Sequence, residues 1–360
     1  VKVLYYLDTS TSINWGSQAT SAGMRQLIEN NHPEAEFIPY TFAPLPLKLF
    51  PFLRIIADKM LLCNIRKNNL HKVKSILSWY GIDQNIYNQY DVVCFNGEGA
   101  MHDQSGHFFR MLASLYAFKA NGKKVISMNQ TIDVKPGSLH AAMLQAVYPQ
   151  LDAVLVREPL SHRLLNQLNI PNTVLGDAAY ALPRLSEEEI EQHFRTFNID
   201  TGFIALTASS ILDRNARSIA TMEKIIRALK PLGRRIVFLA NTKTDLYLAK
   251  KIAQSYHIQI ISYKDAQYKQ AMAIIAKADL LVGGRQHPNI FAAIYQTPFI
   301  GLAGNTHKMQ GVMELLNYPI QSKNWDISET DLRTCARDIL DGKIDFSAVT
   351  VPIVAQLTLY

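Results

Sequence analysis

Short runs of β-branched and aromatic residues alternate along this chain with longer segments whose apolar residues recur at helical spacing. KVLYYL, AEFIPY, DVVCFNG, KVISMN, AVLVRE and NTVLGDA read as strands in the first half, and FIALTAS, RIVFLAN, IQIISY, LLVGG and FIGLAG in the second. Stretches such as SGHFFRMLASLYAFKANGK and ARSIATMEKIIRALKPLG read as helices between them, the latter stopped by Lys230, Pro231 and Gly233. Apolar strands alternating with helices argue for parallel sheets covered on both faces. Six strands followed by five predict an α/β protein of two Rossmann-type, doubly wound domains in tandem, facing each other across a cleft that holds ligands at the strand C-termini. The rhythm breaks at YALPRLSEEEIEQHFRTFNIDTG, where Pro183 precedes an acidic helix. The expected division is therefore an N-terminal domain over 1–184, a second over 185–345 and an apolar tail over 346–360. The tail is expected to dock on the first domain or on another subunit.

One segment departs from this pattern. Residues 47–74, LKLFPFLRIIADKMLLCNIRKNNLHKVK, carry seven Lys or Arg against Asp58 alone, with apolar residues between them at helical spacing. Two readings stand: a packed helix pair with a solvated basic face, or an interfacial helix resting on anionic lipid. The whole chain has 360 residues, 48% of them hydrophobic, and a net charge of +7. That balance suits an acidic substrate, an anionic membrane face or nucleic acid. Nucleic acid is set aside, because no zinc finger, RNP signature or regular basic–aromatic pattern occurs. No run of about 18 uncharged apolar residues is present, so no spanning helix is expected. The beginning, VKVLYYLD, reads as a strand and not as a signal peptide. Three cysteines without a CxxC pair argue against a disulfide framework or zinc site and for a reducing cytosol, with peripheral attachment to the inner membrane face if the basic segment is interfacial.

Candidate chemistry gathers at predicted strand ends. After LLVGG come Arg285, Gln286 and His287, then Pro288 and a helical run; no carboxylate occurs from Arg285 to Pro298. A helix N-terminus behind a strand favours anions, Arg offers a planar fork, and His can move a proton near neutral pH. Asn305, His307 and Lys308 follow the next strand and extend this basic edge. Taken singly, Arg285 could pair with an acidic side chain and His287 could cap a turn. In the first half, Asn14, Gly16 and Ser17 lie in a polar turn that could present N–H groups and hydroxyls to a phosphate or sugar, or simply start a helix with Ser17 as cap. Gly97, Glu98, His102 and Asp103 follow the strand DVVCFNG, where carboxylates could accept hydroxyl protons or merely be solvated. Arg157 ends another strand, and Asp177 is expected to cap a turn. No HExxH, GxSxG or EF-hand pattern occurs, so no metal is implied.

The succession NWGSQAT, DVVCFNGEGAMHD, VREPLSHRLLNQLNI…VLGDAA and ADLLVGGRQHPNIFAAIYQTPFIGLAGNTHKMQG resembles the polysaccharide pyruvyl transferases, from about Lys2 to Tyr318. The resemblance implies a GT-B-like pair of Rossmann-type domains and transfer of pyruvate from phosphoenolpyruvate, as co-substrate without further cofactor, to sugar hydroxyls. The product would be a ketal on a surface glycan or its lipid-linked precursor. The family's R-x-H element, linked to donor binding and catalysis, matches Arg285 and His287; its Arg-Glu-x-x-Ser pattern matches Arg157, Glu158 and Ser161. The glycine-rich turn departs from the family's Gly-Gly-x-Gly, reading Asn96-Gly97-Glu98-Gly99, and the basic segment is unusually long and apolar.

The expected mechanism has Arg285, Lys308 and Arg157, with His307 and Asn305, holding the donor's phosphate and carboxylate. His287 protonates its methylene carbon and Glu98 or Asp103 takes the hydroxyl proton. Asn14, Gly16, Ser17, Gly97 and His102 are assigned to the acceptor. Two rivals are weighed: a nucleotide-sugar glycosyltransferase of the same fold, which would be expected to place an acid near the ribose, and a non-enzymatic glycan- or lipid-binding scaffold.

Overall fold

A computed structural model describes residues 1–41 and 51–354, with side chains of the second stretch from Leu53 onward. The part of the basic segment before residue 51 and the tail beyond 354 lie outside the described residues. Contacts divide the chain into two compact units. Of the described residues, Val1–Thr9, Met24–Ala178 and Val354 belong to the first; Ser10–Gly23 and Ala179–Ile353 form the second.

The first unit is built on a six-stranded sheet, β1 (Lys2–Tyr6), β2 (Glu36–Tyr40), β3 (Val92–His102), β4 (Lys124–Asp133), β5 (Ala153–Val156) and β6 (Thr173–Val174). All pairings are parallel, in the order β2-β1-β3-β4-β5-β6. Helices α1 (Trp15–Asn31), α2 (Pro51–Arg66), α3 (Leu70–Trp79), α4 (Phe108–Ala120), α5 (Leu139–Val147) and α6 (Pro159–Gln167) connect them. Every residue of α4 from Phe108 to Phe118 is buried, which explains why this helix lacks a polar face in the sequence. Its Phe118 meets Tyr6 and Tyr87 edge-on at 5.5 and 4.9 Å, in a core shared with Leu61, Ile65 and Ile76 of α2 and α3.

The second unit carries β7 (Phe203–Ser209), β8 (Arg235–Ala240), β9 (Gln259–Ser262), β10 (Leu280–Gly284) and β11 (Phe299–Gly301). These also pair in parallel, in the order β11-β10-β7-β8-β9. Helices α7 (Glu187–Arg195), α8 (Ala216–Leu229), α9 (Lys243–Ala253), α10 (Tyr268–Ala276), α11 (Gln286–Tyr295), α12 (Lys308–Leu315) and α13 (Glu329–Leu340) complete it. Strands β7 and β10 are buried along their whole length, as strands covered on both faces must be. Helix α8 ends where its stop signal lies, in a turn over Lys230–Leu232 closed by Gly233 at φ 70°. The acidic helix α7 starts with a capping box between Ser186 and Glu189.

Each sheet reverses its winding once, and the reversal opens a crevice at the strand C-termini. In the first sheet the switch lies between β1 and β3; in the second it lies between β7 and β10. No helix among the described residues is long and apolar enough to cross a membrane.

Candidate active site

The second unit's switch point is assembled around β10. A side chain at Gly283 would collide with Thr207 of β7, so glycine lets the two strand ends approach closely. Asn289, one turn into α11, donates to the carbonyls of Gly283 and Arg285 at 3.2 and 2.8 Å, which fixes the strand-to-helix turn. Arg285 takes the N-cap position of α11, yet no side chain caps the helix there. With Pro288 third in the helix, the N–H groups of its first three residues are those of Gln286 and His287. Gln286 Nε2 in that turn and Thr306 Oγ1 in the loop before α12 are buried with no hydrogen-bond partner among the described residues.

Arg285 does pair with a carboxylate, one that is remote in sequence. Its Nη2 and Nε donate to Asp245 at 2.6 and 3.1 Å, and Nη2 also reaches Thr242 Oγ1 at 3.0 Å. Asp245 is 0% exposed while the Arg285 side chain is 14% exposed. This grip orients the guanidinium through its Nε and Nη2. The carboxylate-free stretch read around Arg285 is therefore a property of the local sequence and not of the folded site.

His287 follows in the same turn. Its Nε2 lies 2.9 Å from Thr20 Oγ1 of α1. A methyl at Gly16 would overlap the imidazole, so glycine is what lets α1 lie against this ring. The helix begins at Trp15, three residues before a Ser17 cap would allow it. Asn14 Oδ1 accepts from Gly16 N at 2.9 Å and from Asn241 Nδ2 at 3.1 Å, while Asn241 Oδ1 accepts from Trp15 N at 2.7 Å. Asn14, Gly16 and Ser17 thus group with Arg285 and His287 in the second unit, not with the Glu98 turn as the sequence order suggests. At the end of the neighbouring strand β11, Lys308 Nζ and Ser210 Oγ both donate to Asn305 Oδ1, at 2.8 and 2.9 Å. His307 is the N-cap of α12 and Lys308 its first residue.

In the first unit, Glu98 stands at the switch point between β1 and β3. Its Oε1 accepts from Thr9 Oγ1 at 2.5 Å and from Asn96 Nδ2 at 3.1 Å. Both Glu98 (φ 38°) and Asn129 (φ 57°) are in the left-handed region, beside register shifts in the β3–β4 and β4–β5 pairings. Bulged, strained backbone of this kind concentrates at functional sites. A buried ladder supports it: Asn129 donates to Asn96 at 2.9 Å, Asn96 donates to Tyr5 OH at 2.9 Å, and Ala178 N donates to Asn129 at 2.9 Å. Gly97 lies against the Gln130 side chain.

Beyond the turn, Asp103 meets a histidine that sequence reading missed. His140 Nδ1 is 3.3 Å from Asp103 Oδ1, and Asp103 Oδ2 accepts from Lys135 N at 3.0 Å. The His140 ring sits against Phe108 and Phe109, with centroids 4.7 and 5.0 Å away. Burial depresses its pKa and neighbouring His102 adds to this, while Asp103 opposes it. His102 Nδ1 accepts from Gln104 N at 3.3 Å.

Arg157 requires a correction. It is 1% exposed and bound to fully buried Asp177 at 3.1 Å, with Nε donating to Thr131 Oγ1 at 2.8 Å. So enclosed, it is a structural cation of the first unit and has no surface to offer a dianion. Asp177 is its partner and not a turn cap. Glu158 caps α6, accepting from Leu160 N and Ser161 N at 2.7 and 3.0 Å, and Ser161 Oγ accepts from Ile132 N at 2.7 Å. The Arg-Glu-x-x-Ser pattern therefore holds β4, β5 and α6 together. Among the described residues no group of three or more His, Cys, Asp or Glu could hold a metal ion.

This fold and these strand-end sites define a two-domain α/β protein with parallel sheets, of the GT-B type. The polysaccharide pyruvyl transferase family model matches residues 14–306, and the chain belongs to that family. No curated protein sequence matches it. Among solved structures, it is similar to Methanocaldococcus jannaschii UDP-GlcNAc 2-epimerase in complex with UDP-GlcNAc and UDP, at 14% identity and TM-score 0.62, over 98% of this chain and 95% of that one. UDP-GlcNAc 2-epimerase from Neisseria meningitidis bound to UDP-GlcNAc is similar at 12% identity and TM-score 0.56, over 99% and 96%. Arabidopsis thaliana UGT89C1 complexed with quercetin is similar at 10% identity and TM-score 0.52, over 95% and 90%. Likeness at these identities is likeness of fold.

Proposed function

We propose that the chain transfers pyruvate from phosphoenolpyruvate to a pair of sugar hydroxyls, forming a ketal on a glycan or its lipid-linked precursor. The observation that carries this reading is the start of α11: an uncapped helix N-terminus behind an oriented Arg285, with His287 in the first turn. Phosphoenolpyruvate carries two anions on adjacent positions. The oriented Arg285 guanidinium, the Gln286 and His287 N–H groups and the Lys308 ammonium supply donors for both, and the same groups stabilise phosphate as it leaves.

The chemistry balances without a further reactant. A proton adds to the methylene carbon, which becomes the ketal's methyl group, and one hydroxyl oxygen bonds to the cationic carbon. The second hydroxyl oxygen bonds as the carbon–phosphate oxygen bond breaks. Of the two hydroxyl protons lost, one replaces that given to the methyl group and the other leaves with phosphate. His287, held by Thr20, is the proposed acid. In the first unit Glu98 is the proposed acceptor of hydroxyl protons, with Asp103 and its partner His140 as the second carboxylate. Asn14, Gly16 and Ser17 are reassigned to support of His287.

A second reading keeps nucleotide sugars in view, because solved structures of similar fold hold UDP-GlcNAc or UDP. Against it, the acid nearest Arg285, Asp245, is fully buried and already paired, so it is poorly suited to bind a ribose. Thermal melting with phosphoenolpyruvate and with UDP, GDP and CMP sugars tests the two readings, since a cognate ligand stabilises the native state by mass action. The proposal expects a rise with phosphoenolpyruvate. A rise confined to a nucleotide sugar overturns it.

A further inference from the structure

The outward face of α2 is apolar where a solvated helix would be charged. Ala57, Leu61, Leu62 and Ile65 are buried on its inner side. At 3.6 residues per turn the opposite arc carries Leu53, Ile55 and Ile56, which are 49%, 50% and 40% exposed, together with exposed Lys59, Cys63 and Arg66. The helix's single carboxylate, Asp58, is turned away and accepts from Tyr80 OH at 2.7 Å. Lys67 extends the exposed positive charge past the helix end. The other large, exposed apolar residues among those described, such as Ile13, Leu139 and Ile211, stand singly along the chain, which is ordinary for a protein surface. Three within one turn, flanked by cations and without an anion, is not.

We infer that α2 docks the protein on an anionic lipid surface, its apolar side chains entering the headgroup boundary and Lys59, Arg66 and Lys67 meeting lipid phosphates. Charge decides between this occupant and a second copy of the chain. A twofold dimer through this face would bring together two surfaces that each carry cations and no anion, whereas an anionic bilayer complements them and accepts the apolar side chains. The inference rests on α2 alone and stands whether or not phosphoenolpyruvate is the donor.

The test is flotation of the full chain with phosphatidylcholine vesicles, pure or containing about a quarter phosphatidylglycerol. The wild-type protein is expected to float with the anionic vesicles and to stay behind with the neutral ones. Ile55→Glu/Ile56→Glu and Lys59→Glu/Arg66→Glu are each expected to lower vesicle binding roughly tenfold or more. Melting temperature and its response to ligands should be unchanged, because these side chains are exposed. Failure of the wild-type protein to float at low salt, or equal flotation of the variants, overturns the inference. So does a wild-type dimer that ignores vesicles and that Ile55→Glu/Ile56→Glu converts to monomer.

Discussion

Two arginines of this chain occupy nearly the same local setting and have different fates. Arg157 and Arg285 each follow a parallel strand, each precede a helix, and each pair with a carboxylate that is 0% exposed. The difference lies at the N-cap, which is Glu158 after Arg157 but Arg285 itself in the second case. After Arg157 comes Glu158, whose carboxylate takes the first free N–H groups of α6. After Arg285 come Gln286 and His287, and no side chain caps α11. In the first case the protein has supplied its own anion to the helix end; in the second no side chain does so, and that end is where the proposed donor would bind. A strand-end arginine therefore says little by itself, and whether a carboxylate already occupies the following helix end is the feature that separates these two.

The comparison breaks first at Arg157. Replacing it with Ala strands Asp177 as a buried, unpaired charge, at a cost of about 3–5 kcal/mol. A melting temperature lower by on the order of 10 °C is expected by scanning calorimetry; an unchanged transition would contradict the structural role. At the other turn, His287→Gln should leave folding and phosphoenolpyruvate affinity near wild type while lowering kcat roughly 100- to 10,000-fold. Single-turnover phosphate release measures this once an acceptor is in hand, and near-normal turnover would remove His287 from the chemistry.

Asp245→Asn sharpens the contrast, because it weakens the grip on Arg285 without emptying the site. We expect a stability loss of about 1–3 kcal/mol in urea and weaker donor binding, with kcat less affected. A loss of stability with unchanged affinity would make Asp245 purely structural. The smallest effect concerns pH in the first unit. Burial holds His140 below its ordinary value of 6.5, so the native state favours the neutral ring while the unfolded chain binds the proton more readily. The sign follows: this contribution is present above about pH 6.5 and is lost as pH falls through the depressed native value. Melting curves should show a decline below about pH 6.5 that is shallower in His140→Gln; an identical decline in the variant would contradict it.

Much of this architecture was legible because parallel strands write themselves as short β-branched and apolar runs, and the eleven strands among the described residues fall on the runs read as strands. Their spatial order was not legible, since crossovers leave no periodic trace. The RQH turn stood out because cations after an apolar run are conspicuous. The Asp245 partner did not, although Thr242-x-x-Asp245 after RIVFLAN carries a helix-start signature that locates a carboxylate at the end of a strand neighbouring β7. Arg157 was read as a ligand because nothing local marks Asp177, twenty residues away, as its partner. His140 gives no local signal at all: it meets Asp103 only because β3 and β4 are adjacent. Among the contacts that group Ser10–Gly23 with the second unit is that of Trp15, whose Nε1 donates to Ala266 O at 2.7 Å, a contact no sequence window contains.

The central claim is that the uncapped turn at Arg285 holds the donor, and calorimetric titration with phosphoenolpyruvate tests it most directly. The account predicts binding to the wild-type protein, similar binding to His287→Ala, and at least a roughly tenfold weaker Kd for Arg285→Ala, the loss of one charge-assisted pair. Equal affinity of Arg285→Ala and wild type would contradict it.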